Sequence, residues 1–67
     1  MSLSEKLAKN MRYKRSEIGW TQEEAAEACD LSDRAYREIE SGHGNPKLAT
    51  LEQISKGLGI APGDLFK

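Results

Sequence analysis

From Ser4 to Ile18 the apolar residues Leu7, Met11 and Ile18 recur at helical spacing among lysines and arginines, and Gly19 follows as a C-terminal stop, which predicts a first amphipathic helix. Met1–Leu3 are assigned to no element. Thr21 and Glu24 form an S/T-x-x-E capping box, so a second helix starts near Gln22, with Ala25, Ala26, Ala28 and Cys29 as a small-residue apolar side suited to a close helix crossing. Trp20 stands just before that cap, with Ala25 at N4 of the helix, in hydrophobic-staple position; this favours a core role over a base-stacking one. Ser32 is a second N-cap, Asp33 suits the positive end of the helix it starts, and Gly42 ends a third helix over roughly 33 to 41. Its inward side by spacing is Leu31, Ala35, Tyr36 and Ile39, leaving Asp33, Arg34, Arg37, Glu38 and Ser41 outward.

Cys29-Asp30-Leu31 leaves only a short turn between the second and third helices, so the pair, residues 21 to 42, reads as a helix-turn-helix whose second member projects from the body. Asp30 is expected in the left-handed conformation, which Asp tolerates better than most residues. Residues 42–46 form a loop by their turn chemistry. Asn45-Pro46 is expected to cap and begin a fourth helix, with Leu48, Leu51, Ile54 and Leu58 as its buried stripe up to Gly59. Ile60–Phe66 reads as a short fifth helix or turn, where Leu65 and Phe66 close the core or extend an interface. The class is all-α, a single domain over 1–67 without internal repeat or linker.

Size limits what this core can do, since a chain of 67 residues rarely gains more than about 3–5 kcal/mol from packing alone. A single Cys excludes an internal disulfide, and Cys29 reads as a small core residue. No apolar run approaches the roughly 20 residues of a membrane span, and no secretory signal is visible, so the expected compartment is the cytoplasm. No phosphate-binding glycine loop or metal cluster occurs, and the sole Cys and sole His lie in separate elements; no enzyme, cofactor or metal is expected. Net charge is −1, low for a partner of nucleic acid. Its distribution is uneven: residues 1–21 are net basic, residues 22–33 carry five acids and no base, and residues 34–47 are weakly basic. Any electropositive surface is therefore expected from the first and third helices.

Arg15, Gly19, Thr21-Gln22 with Glu24, Ala26, Leu31-Ser32, Ile39-Glu40, Gly42, Asn45-Pro46, Leu48, Leu51 and Gly59, in this order and spacing, resemble the XRE family of phage repressor and Cro-type helix-turn-helix domains. Two departures stand out: the turn position usually held by Gly is Asp30, and the usually basic loop after the third helix holds His43-Gly44. The resemblance implies a compact five-helix, lambda-repressor-like fold and a sequence-specific regulator that binds double-stranded DNA, of repressor type. It implies a binding set of Gln22, Ser32, Asp33, Arg34, Arg37, Glu38, His43 and Asn45. Within it, Gln22 meets phosphate, His43 is a solvated loop residue or a phosphate contact, Arg34 reads guanine, and Asp33 or Glu38 accepts from a cytosine amino group. It also implies an ion pair between Arg15, which is otherwise a solvated or snorkelling side chain, and Glu40. A homodimer contact at Leu65 and Phe66 completes the expectation.

Two other readings stay open at this level. The acidic balance and the His43-Gly44 loop suit an antitoxin-like module whose main contact is a partner protein, and a helical scaffold without DNA binding fits the same pattern of elements.

Overall fold

Three of the four α-helices begin where a short polar side chain takes up a backbone N–H that the helix itself leaves without a partner. In the computed structural model, which describes residues Met1–Lys67, the elements are α1 (Leu3–Ile18), α2 (Gln22–Ala28), α3 (Asp33–Glu40), α4 (Leu48–Leu58) and a terminal 3-10 helix (Pro62–Phe66), with no strand. Ser2 caps α1: its hydroxyl accepts from the Glu5 N–H at 3.1 Å while the Glu5 carboxylate accepts from the Ser2 N–H at 2.9 Å. The helix thus starts one residue before Ser4, because its S-x-x-E signature lies partly in the three residues assigned to no element. Thr21 and Glu24 form the expected box on α2, and Ser32 accepts from the Ala35 N–H at 3.1 Å to start α3.

α4 departs from expectation at its front. Asn45-Pro46 does not begin it; Lys47 is the N-cap, without a side-chain cap bond. Residues before it are held against α3, where a Cβ on Gly44 would lie 2.7 Å from Ile39 Cα, so the chain must stay extended for longer. Leu48 becomes the first helical residue, beyond the end of the core, and is 80% exposed instead of buried. Ile18, at the far end of α1, and Ala28, at the end of α2, are likewise exposed; spacing put both on apolar sides, but each helix outruns the core at that end.

The core gathers Leu7 and Met11 from α1, Ala25, Ala26 and Cys29 at α2, Tyr36 and Ile39 from α3, Ile54 and Leu58 from α4, and Leu65. Trp20, Leu31, Leu51, Ile60 and Phe66 pack at its margin. Burial pushes the Cys29 thiol up to about 11, so it stays protonated and inert at neutral pH. Polar side chains tie the ends together: Asn10 Nδ2 donates to the carbonyls of Asp64, Leu65 and Lys67, and Gln53 Nε2 donates to Asp30 O at 3.0 Å. No helix is long and apolar enough to cross a membrane.

Asp30 takes the left-handed conformation, φ 58°, and its side chain makes no hydrogen bond. Asp30→Gly is therefore expected to leave the melting temperature unchanged or raise it, because relief of the left-handed cost offsets the added freedom of the unfolded chain. A clear fall in thermal melts would show that the Asp side chain supports the turn.

Candidate nucleic-acid interface

α3 is two-faced. Tyr36, Ile39 and Glu40 are buried, while Asp33, Arg34, Arg37 and Glu38 all stand exposed on the other side, preceded by exposed Ser32 and followed by Ser41. The inward face is anchored by a buried ion pair. Arg15 donates from Nε to Glu40 Oε2 at 2.9 Å and from Nη2 to Oε1 at 3.0 Å, a bidentate clasp. Arg15 Nη1 also donates to Trp20 O, so one guanidinium holds the start of the α2 segment and the end of α3 together. From α1, Arg12 Nη1 donates to the Glu40 carbonyl at 2.7 Å, placing a cation at the negative end of α3.

Burial alone would raise the Glu40 carboxyl, with only 3% of the residue exposed, but hydrogen bonds and positive charge from Arg15, with Gln22 alongside, hold it below its ordinary value. Glu40 in turn raises the Arg15 guanidinium further. The Tyr36 hydroxyl is buried beside this carboxylate without a well-formed hydrogen bond of its own. Burial, then the neighbouring Glu40 charge, push its ionisation far above the phenol range.

The expected binding residues divide. Asp33, Arg34, Arg37 and Glu38 share one open face with Ser32, whose hydroxyl is engaged in capping. His43 and Asn45 are exposed in the loop behind α3; His43 Nδ1 lies 3.2 Å from Ser41 Oγ, and Asn45 rims a shallow groove floored by Leu31, Ala35 and Ile39. Gln22 is different: it is half-buried and its Nε2 donates to Glu40 Oε1 at 3.0 Å, so its amide NH₂ is directed inward and not free for a phosphate. Leu65 is a correction of another kind. At 1% exposure it belongs to the monomer's own core, since the terminal 3-10 helix turns it onto α1 and α4, whereas Phe66 beside it stays partly open.

Both outward arginines have acidic partners. Arg34 Nε lies 3.3 Å from Glu38 Oε1 one turn on, and Arg37 Nη2 lies 3.9 Å from Glu23 Oε1 on α2. The first pair is legible as an i,i+4 spacing. The second crosses between helices, and so does the Arg12 contact to Glu40; neither left a signal in local spacing. With Arg12 and Arg15 both directed at Glu40 and Lys14 paired with Glu17, α1 offers fewer free cations than its composition suggested.

A family profile described as Helix-turn-helix matches residues 11–65, most of the chain. The chain is 40% identical over 58 residues to the control protein C.MunI of Mycoplasma sp, covering 87% of this chain and 76% of that one. It is 41% identical over 51 residues to the control protein C.BamHI of Bacillus amyloliquefaciens, covering 76% of this chain and 63% of that one. The crystal structure of the hypothetical transcription factor NHTF from Neisseria superposes with a TM-score of 0.92 at 35% identity, covering 98% of this chain and 76% of that chain. The chain belongs to the XRE-type helix-turn-helix family. It is a DNA-binding transcriptional regulator.

Proposed function

We propose that this regulator is a repressor that binds double-stranded DNA sequence-specifically, lays α3 in the major groove and works as a homodimer in the cytoplasm. The observation that supports the reading best is the division of α3: one face locked into the core by Tyr36, Ile39 and the Glu40 clasp, the other presenting Asp33, Arg34, Arg37 and Glu38 to solvent. A rigidly held helix with a polar, medium-length outer face is what base-edge readout needs. Arg34, in the first turn and 90% exposed at its side chain, reaches the two guanine acceptors. Glu38 or Asp33 accepts from a cytosine amino group. Backbone N–H groups at the front of α2, with Ser32, His43 and Asn45 at the flanks, meet phosphates.

Arg34→Ala is expected to weaken binding to a duplex selected from random sequence by about 1–3 kcal/mol and to relax preference at one base pair. Gln22→Ala removes a hydrogen bond to Glu40 and no phosphate contact, so it acts through the support of α3 and should lower the melting temperature. An unchanged selected sequence for Arg34→Ala would remove α3 from the reading role.

The dimer reading rests on size and surface. One recognition helix reads only a few base pairs, and a net charge of −1 supplies little phosphate attraction, so two copies on half-sites about 34 Å apart make up the difference. Exposed Leu48 and half-open Phe66 line one apolar groove with Leu51, Glu52 and Pro62, over the buried Leu65. Sedimentation at micromolar concentration should show a dimer that Leu48→Lys shifts to monomer. A monomer that protects a single half-site would refute it.

A further inference from the structure

Each outward arginine of α3 faces a carboxylate that can compete with DNA for it. Arg34 has Glu38 at 3.3 Å on its own helix, and Arg37 has Glu23 at 3.9 Å on the neighbouring one. All four side chains are more than half exposed, so the pairs form and break readily in water and neither is needed for the fold. Their placement gives them a different consequence. A phosphate approaching either guanidinium meets the negative charge of the carboxylate beside it, hydrogen-bonded at Arg34 and at 3.9 Å, beyond hydrogen-bond distance, at Arg37.

We infer that Glu38 is a specificity determinant that acts by occupying Arg34 in the free protein, so that non-cognate duplexes compete with an internal anion while a matched site displaces it, and that Glu23, beside Arg37, lowers affinity for every duplex. The inference rests on the proposed reading of α3. At a matched site Arg34 exchanges Glu38 for two guanine acceptors, and the released Glu38 carboxylate accepts from a base amino group; at a mismatched site it meets an acceptor or a phosphate and repels it. Glu23, on α2, has no base to accept from. It subtracts a similar free energy from backbone attraction on every duplex, which lowers affinity and leaves the ratio between duplexes unchanged.

The test measures binding of the full chain to its selected duplex and to a scrambled duplex over a series of salt concentrations. Glu23→Gln is expected to strengthen scrambled-duplex binding by about three- to fivefold, the scale of an exposed ion pair. The dependence of log affinity on log salt should steepen by about 0.9, one further phosphate neutralised. The selected duplex should gain by a similar factor, so the ratio is kept. In an Arg37→Gln background the gain from the Glu23 change should shrink, because part of it passes through that guanidinium. Glu38→Gln should lower the ratio, mainly by weakening the selected duplex at one base pair. An unchanged ratio for Glu38→Gln, or a Glu23→Gln gain undiminished without Arg37, would overturn the inference and leave bulk charge as the cause. Failure of the wild-type chain to select any duplex would instead overturn the proposed function.

Discussion

Replacing Gly57 with Ala is expected to cost about 3 kcal/mol or more, at the upper end of overpacking, and so to remove most of the roughly 3–5 kcal/mol that a core of this size supports. Gly57 sits inside α4, where an Ala would ordinarily add about 1 kcal/mol of stability. Here the sign reverses through close approach: an added Cβ would lie 2.6 Å from Cys29 Sγ, 2.7 Å from Cys29 Cα and 2.8 Å from Ala28 O. Two of those three atoms are backbone at the end of α2, so no side-chain rotation makes room. α4 would have to lift from α2, and with it the Gln53 contact to Asp30 that closes the turn before α3. Gly63→Ala, where a Cβ meets nothing within 4 Å, is the matched control and should melt within a few degrees of wild type. Equal melting of the two variants would mean that the α2 and α4 crossing relaxes freely.

Arg15→Met alone is expected to cost about 3–5 kcal/mol, because it leaves the Glu40 carboxylate buried without its cation. The Glu40 side chain is 2% exposed and the Arg15 side chain 23%, so little solvent reaches the carboxylate to replace the lost partner. Arg15→Met with Glu40→Leu should recover much of the loss, since apolar groups of similar volume often match a buried pair in stability. Purely additive effects in a melting cycle would show the pair to be uncoupled. If the single variant does not fold, recovery of a cooperative melt in the double variant still reports the coupling. The pH dependence has a definite sign. Glu40 titrates below its ordinary value of 4.5 when folded, so its stabilisation is complete above that pH and is lost as pH falls through the lower folded value. The double variant should lack this acid-sensitive component.

Local chemistry makes the start of α2, the start of α3 and the turn between them legible in the sequence by itself. The Thr21–Glu24 box, the Ser32 cap and the left-handed Asp30 each depend on atoms within four residues along the chain, where backbone geometry leaves few alternatives. The Arg15–Glu40 pair is accessible for another reason: an apolar stripe that carries an Arg demands a partner, and the family resemblance names it. What α3 presents outward follows from a period of about 3.6 once its inward side is known.

Tertiary structure alone decided the rest, because the determining contacts join residues far apart in sequence. Leu48 is exposed and Leu65 buried since the core's edge falls between them, and no periodicity marks where a core ends. Asn10 binds carbonyls 54 to 57 residues away, and Arg12 caps α3 from α1. Gln22 turns inward because Glu40 stands one hydrogen bond away. Glu23 meets Arg37 only after α2 and α3 have packed. Which charges stay free to meet DNA is thus set by the crossing of helices and not by their composition, since a cation's availability depends on the nearest anion in space.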